Sequence, residues 1–286
     1  MTSPSHPLPA RLHGLPFWEM DGAGNRFVIV DLRAGGEINA EAARYLGDRM
    51  GPFGCDQIIT LENDRGNARM GILNADGSSA GQCGNASRCV AVLLRDGSET
   101  RVRFLSPAGP LEARFLPGGD VEVDMGPPRL GWRDIPLAEE VEDTAALPLP
   151  PELLRSFGLE APVGVSMGNP HAVFFVDDAE RAALETFGPI FEHHPLFPDR
   201  ANISAASLRE EGLRLRTWER GVGITLACGT AACAALVAGV RRGLTGRAAA
   251  VHADGGKLAI RWDEITGHVH MAGPTRLHRQ GVFGQE

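Results

Sequence analysis

Short apolar runs separated by polar turns dominate the pattern of this chain, and they predict many short β-strands. Runs of about four to eight residues, bounded by Gly, Asn or Asp, are typical of strands. In the first half such runs lie at Phe27–Leu32, Gln57–Leu61, Met70–Leu73, Val102–Phe104, Leu111–Phe115 and Val121–Met125. In the second half they lie at Val173–Val176, Leu213–Trp218, Val251–Ala253, Lys257–Trp262 and Gly267–Met271.

A few segments have a helical pattern instead. Asn39 can cap a helix over Ala40–Met50, and Ala179–Phe187 is predicted to be helical. Two further helices are expected to start after Cys83 and Cys228. Small and apolar residues surround both on nearly every side, which indicates buried helices.

The order of these elements repeats along the chain. Three landmarks recur 144, 145 and 147 residues later: Gly24-Asn25 at Gly168-Asn169, Cys83-Gly84 at Cys228-Gly229, and Pro127 at Pro274. We therefore predict a duplicated domain whose two cysteines are related by a pseudo-twofold axis. Such an axis would place one acid/base group on each side of a bound ligand.

The duplication sets the expected architecture. We predict an α/β fold of two pseudo-symmetric domains, each a mostly antiparallel curled sheet around a buried central helix. The expected boundaries are a flexible tail over 1–13, an N-terminal domain over 14–130 plus 273–286, and a C-terminal domain over 131–272.

Composition narrows the class of protein. The 286 residues carry a net charge of −8, which argues against a nucleic-acid partner. No apolar run approaches the roughly 18 to 20 residues that span a bilayer, so no membrane association is expected. The five cysteines and the absence of a signal-like N-terminus indicate the reducing cytoplasm. The Cys-x5-Cys and Cys-x4-Cys spacings do not suit a zinc site. His193-His194 lie before Pro195 at an expected helix C-terminus, where imidazoles interact favourably with the helix dipole, so no metal is expected there either.

Cys83 and Cys228 are the candidate reactive groups. A helix N-terminus offers unpaired N–H groups and a partial positive charge, which stabilise a thiolate. Gly84 and Gly229 follow these cysteines and allow a ligand to approach the backbone closely. Cys55, Cys89 and Cys233 are interpreted as small structural hydrophobes.

A polar residue stands nine positions before each of these cysteines, and the two differ in charge. The first is Asn74, and the second is Glu219, next to Arg220. A neutral amide on one side and charged groups on the other suit an amino-acid ligand with distinct ends. The alternative is that Glu219 and Arg220 form a surface ion pair of little energetic value.

With these motifs the chain resembles the diaminopimelate epimerases, a family of pyridoxal-independent amino-acid racemases. The resemblance extends from about Phe17 to Pro274. Its motifs are Gly24-Asn25, Asn74-Ala75-Asp76-Gly77-Ser78, Gln82-Cys83-Gly84-Asn85, Ser166-Met167-Gly168-Asn169-Pro170-His171, Ala201-Asn202, Glu219-Arg220-Gly221 and Ala227-Cys228-Gly229-Thr230.

The resemblance implies a two-base epimerisation of LL-diaminopimelate to the meso form without a cofactor. It implies that Cys228 removes the α-proton, that Cys83 returns one, and that His171 and Glu219 tune the two thiols. The implied substrate contacts are Asn25, Gln57, Asn74, Asn169, Asn202, Glu219 and Arg220, with Gly84, Asn85, Gly229 and Thr230 as the carboxylate cradle.

The chain also departs from the family pattern. Ala86, Ala231 and Ile224 replace common glycines and a glutamate, and the C-terminus lacks the tyrosine that many relatives use in a homodimer contact. Two alternatives stay open. One is a proline or hydroxyproline racemase of the same architecture, and the other is a non-catalytic binding protein that uses the two thiols as a switch.

Overall fold

A computed structural model gives the fold for residues 7–81 and 83–285, so Gln82 of the first cysteine motif lies outside the described residues. The chain divides into two units. Unit 1 runs to Val123 and resumes at Gly273, and unit 2 spans Asp124–Ala272. Within the described ranges no helix has the length and apolar character needed to cross a membrane.

Unit 1 is a mixed sheet with two helices. Its elements are β1 (Pro16–Gly22), β2 (Asn25–Asp31), α1 (Ala40–Gly47), β3 (Gln57–Asp64), β4 (Asn67–Asn74), α2 (Gly84–Leu94), β5 (Arg101–Ser106), β6 (Gly109–Phe115), β7 (Val121–Asp124) and, from the C-terminus, β16 (Arg276–Val282). The strand order is β16-β1-β2-β3-β4-β5-β6-β7. Only β2–β3 and β4–β5 pair in parallel, and the other register-matched pairs are antiparallel.

Unit 2 has the same plan with one additional helix and one additional short strand. Its elements are α3 (Pro151–Ser156), β8 (Val163–Ser166), β9 (Pro170–Phe175), α4 (Leu184–Glu192), β10 (Asn202–Arg209), β11 (Gly212–Glu219), β12 (Gly223–Thr225), α5 (Gly229–Arg241), β13 (Ala248–Ala253), β14 (Gly256–Trp262) and β15 (Val269–Gly273). The strand order is β15-β14-β13-β11-β10-β9-β8, and β12 pairs with β11. Two pairs are again parallel. α4 connects the strands of the first pair, β9–β10, and α5 lies in the connection between the strands of the second, β11–β13.

The internal repeat is therefore present in the pairing pattern as well as in the sequence. β2-α1-β3-β4-α2-β5-β6-β7 of unit 1 matches β9-α4-β10-β11-α5-β13-β14-β15 of unit 2. Within each unit the parallel and antiparallel pairs fall at the same steps. The predicted α/β class, with a mostly antiparallel sheet in each half, is confirmed.

The central helices α2 and α5 are buried almost all round, as their composition predicted. Residues 84–91 of α2 and 229–239 of α5 are all buried. α5 contacts six strands of its own sheet, β8, β9, β10, β11, β13 and β14, so the sheet curls around it. Alanine, glycine and cysteine dominate the buried segment of α5, and these small side chains let strands approach from several directions. The buried segment of α2 is more mixed and includes the fully buried Arg88.

Two predictions about chain segments were wrong. The helix predicted over Ala179–Phe187 begins only at Leu184. The Glu180 amide instead donates to the side chain of Asp178 in a local turn that competes with the helix. The Ala179 amide donates to the Ser207 hydroxyl of β10.

The predicted tail is the second error. Residues 1–6 lie outside the description, but Leu12 is fully buried in the unit 1 core with Phe17 and Phe283. Its amide donates to the Pro9 carbonyl in a tight turn. Leu8 and Leu15 pack against the same cluster, but prolines separate these leucines into short pieces, so the sequence pattern missed this packing.

Candidate active site

In unit 1 the predicted polar residues gather where three strands meet the start of α2. Asn25 begins β2 and Gln57 begins β3, while Asn74 ends β4 and pairs in register with Gln57. The Gln57 amide donates to Asn74 Oδ1 at 3.2 Å. Asn85, in the first turn of α2, donates to Asn25 Oδ1 at 2.5 Å. Strand order thus brings together residues that are up to 60 positions apart.

Cys83 is the N-cap of α2 and has extended backbone angles. Its side chain is partly exposed, and its carbonyl accepts hydrogen bonds from the amide and the hydroxyl of Ser87, both at 3.0 Å. No acidic residue lies in the first turn of α2. The helix dipole therefore favours negative charge at this thiol and at any anion bound beside it.

Unit 2 repeats this arrangement with different side chains. His171 lies in β9 and pairs in parallel with Asn202, the first residue of β10. Glu219 ends β11, as Asn74 ends β4, and Cys228 is the partly exposed N-cap of α5. Sequence spacing had predicted this equivalence of Asn74 and Glu219.

A chain of hydrogen bonds links His171 to the sulfur of Cys228. His171 Nε2 lies 2.9 Å from Asn169 Oδ1, the Asn169 amide donates to Thr230 Oγ1 at 3.2 Å, and Thr230 Oγ1 lies 3.4 Å from Cys228 Sγ. Because the Asn169 nitrogen already donates to Thr230, its oxygen must accept from His171. The Thr230 hydroxyl can then donate to the sulfur, so every donor in the chain points toward Cys228.

The His171 imidazole is the neutral first member of this series of hydrogen bonds. Complete burial, reinforced by the charge of Arg220, lowers its pKa from 6.5 to about 3. Its Nδ1 is buried and has no hydrogen-bond partner within residues 7–81 and 83–285. The imidazole is thus fixed as an Nε2–H donor.

This burial predicts a dependence of stability on pH. The folded pKa of His171 lies below its unfolded value of 6.5, so its contribution is complete above pH 6.5 and is lost as the pH falls toward about 3. Lowering the pH from 6.5 to 5 should cost about 2 kcal/mol of unfolding free energy through this group. Urea titrations of the wild type and of His171→Phe should show this difference in slope. Equal pH slopes for the two proteins would contradict a buried neutral imidazole.

Glu219 and Arg220 each have hydrogen-bond partners that the sequence did not indicate. Glu219 Oε1 accepts a hydrogen bond of 2.5 Å from the Thr225 hydroxyl. The Arg220 guanidinium donates to the Asp199 carbonyl, and its backbone amide donates to Asn202 Oδ1. Sequence reasoning missed Thr225, whose contact arises only because β12 folds back on β11.

The other three cysteines are buried, in agreement with their structural interpretation. Cys55 donates to the Leu46 carbonyl and Cys89 to the Asp21 carbonyl. Burial raises the pKa of both thiols to about 12. The two cysteines of the repeated motif are the accessible ones.

His193 and His194 hold chain segments in place at the end of α4. His193 Nδ1 lies 2.9 Å from the Pro189 carbonyl, and His194 Nδ1 accepts from the Leu196 amide at 3.2 Å. These backbone contacts occupy one ring nitrogen of each imidazole.

Comparison with known proteins identifies the family. The family model described as diaminopimelate epimerase matches residues 17–131 and 163–278. A diaminopimelate epimerase of Acidiphilium cryptum is 50% identical over 271 residues, covering 93% of this chain and 95% of the relative. One of Rhodospirillum centenum is 50% identical over 275 residues, covering 94% and 92%.

Solved structures show the same fold at low identity. The chain resembles a phenazine biosynthesis protein of the PhzF family from Bacillus anthracis with a TM-score of 0.67 and 16% identity, covering 93% of this chain and 98% of that one. The family model covers both halves, including both cysteine motifs, and the two relatives each match more than nine-tenths of the chain. The chain therefore belongs to the diaminopimelate epimerase family.

Proposed function

We propose that this protein interconverts LL- and meso-diaminopimelate by proton transfer at Cα between two cysteines, a step in the formation of lysine and peptidoglycan precursors. The observation that carries the proposal is that each half holds one accessible thiol at the N-terminus of a buried helix, inside a matched shell of polar strand ends. The 50% identity of curated diaminopimelate epimerases over more than nine-tenths of the chain supports the same substrate.

The proposed reaction has two proton transfers. Cys228, as the thiolate, takes the proton from Cα of the LL substrate, and the electron pair left on carbon delocalises into the α-carboxylate. Cys83, as the thiol, gives its proton to the opposite face of Cα. One thiol and one thiolate are present before and after, with their roles exchanged, and the reverse reaction uses them in the opposite order.

The carbanion is the species that the site must stabilise. Backbone N–H groups at the two helix starts, at Gly84, Asn85, Gly229 and Thr230, are the proposed cradle for the carboxylate. Fixed donors of this kind stabilise developing charge because they need no reorganisation during the reaction. The hydrogen-bond chain that ends at Cys228 Sγ favours the thiolate in the same way.

The remaining polar residues are proposed to bind the two ends of the substrate. Neutral amides from unit 1 and the charged pair from unit 2 distinguish the reacting end from the distal one. The proposed contacts are Asn25, Gln57, Asn74, Asn169, Asn202, Glu219 and Arg220.

The mechanism also bears on location and assembly. Both sulfurs must stay reduced, as one thiol and one thiolate, so we assign the protein to a reducing compartment, the cytoplasm. A homodimer stays a prediction. Such a contact would have to form without the usual tyrosine, for instance at the edge strand β16, where the side chains of 276–280 are exposed.

Deuterium incorporation tests the proposal. In D2O the protein should convert LL-diaminopimelate to meso-diaminopimelate that carries deuterium at Cα, because the donor thiol exchanges with solvent before it donates. Nuclear magnetic resonance and chiral chromatography would follow both changes, with proline assayed in parallel. Exchange on proline alone would indicate a proline-type racemase, and binding without exchange would indicate a thiol-switch protein.

A further inference from the structure

A tight turn between β11 and β12 carries Glu219 and Arg220. The Val222 amide donates to the Glu219 carbonyl at 3.0 Å and closes the turn. Gly221 stands at its third position with φ of +74°, a conformation that favours glycine there. Arg220, Gly221 and Val222 are all exposed. An exposed turn of this kind is ordinarily among the more mobile parts of a chain.

Buried side chains nevertheless hold both central amides of this turn. The Arg220 amide donates to Asn202 Oδ1 at 3.0 Å, and the Gly221 amide donates to Glu192 Oε1 at 2.8 Å. The two acceptors come from different elements, β10 and α4. The turn is therefore tied to the body of unit 2 through its backbone, independently of its own side chains.

Glu192 is the less expected of these two acceptors because it is a carboxylate with only 2% of its surface exposed. Its second oxygen accepts from the indole nitrogen of Trp218 at 2.7 Å, and Arg200 lies 3.8 Å from its first oxygen. Gly188, one helical turn earlier, makes room for the indole, since a Cβ there would lie 2.8 Å from the ring. A buried carboxylate is tolerable only with such partners.

We propose that Glu192 is a positioning residue for the epimerisation, and this role rests on the function proposed above. Its carboxylate accepts hydrogen bonds from the Trp218 indole and the Gly221 amide. These two residues stand immediately before Glu219 and immediately after Arg220. The backbone around both proposed substrate contacts is thereby anchored to the end of α4. Misplacement of such groups by about 1 Å can cost about 100-fold in rate.

Glu192→Gln tests this role because the amide keeps the shape but presents a donor to one of the two N–H groups. We expect amide hydrogen exchange at Gly221 to accelerate at least about 10-fold and kcat/KM to fall about 10- to 100-fold. Trp218→Phe removes the indole donor together with part of the ring, and it should leave the Gly221 amide protected because the Glu192 carboxylate is retained. The matched control is Glu185→Gln, on the same helix, whose exposed carboxylate pairs with Arg216 and should change neither quantity.

The exchange and kinetic measurements separate the outcomes. Unchanged exchange at Gly221 in Glu192→Gln would mean that the carboxylate does not hold the turn, and the proposal would fail whatever the activity. Faster exchange with full activity would also overturn it, because the turn would then be held for no catalytic purpose. If the wild type does not epimerise diaminopimelate, the proposed function fails, while exchange still decides whether Glu192 holds the turn.

Discussion

Replacing either Cys83 or Cys228 with alanine should lower the rate of epimerisation by at least about 100-fold and up to about 10⁴-fold. Each sulfur is proposed to serve one face of Cα, so neither can replace the other. Initial rates of meso-diaminopimelate formation would measure the loss. Full activity in either variant would rule out the two-base mechanism.

The controls for this experiment lie in the same helices. Cys89 and Cys233 are fully buried within α2 and α5. Alanine at either position should reduce the free energy of unfolding by about 1–2 kcal/mol and leave kcat/KM unchanged. A large loss of activity in a folded Cys89→Ala protein would show that helix packing, rather than the accessible thiol, controls the rate.

Discrimination between substrates is the second large effect. The protein should process diaminopimelate about 10⁴-fold more efficiently than lysine or proline. A site that pairs polar groups with a second ammonium and carboxylate leaves them desolvated and unpaired when a smaller amino acid binds. Values of kcat/KM for the three amino acids, measured side by side, would give the ratio. Comparable values for proline would move the chain toward the proline racemases.

Much of the fold could be predicted because the repeat and the short apolar runs are local signals. The polar residues that end β4 and β11 each stand nine positions before Cys83 and Cys228. The predicted Asn39 cap is present, because its side chain accepts a hydrogen bond from the Ala42 amide. The strand β16 was missed because residues 276–280 are exposed and its partner β1 is more than 250 residues away. Pairing at that distance leaves no trace in local periodicity.

The candidate site was likewise predictable only in part. Residue types and motif positions identified the members of the polar shell, whose roles stay predictions. The connections between them could not be predicted, because the bond between Asn169 and Thr230 spans 61 residues and depends on the curl of the sheet. Glu192 gave no signal at all, since its burial and its two partners are consequences of tertiary packing alone.

The departure at Ile224 has a structural explanation. Ile224 pairs across the hairpin with Trp218, and both pack against the apolar core of unit 2. An aliphatic side chain at this position therefore shields the indole from water. Ile224 thereby adds to the apolar core of unit 2.

The matched strand pairs of the two halves have an evolutionary consequence. Phe27 pairs in register with Gln57, and at the matching place His171 pairs with Asn202. A homodimer of a half-length chain would be obliged to carry the same residue at both copies of every position. A single polypeptide that holds both copies is free of that constraint, so one half can carry a buried imidazole where the other carries a phenyl ring. Covalent linkage is thus what permits a duplicated fold to have two chemically unequal halves.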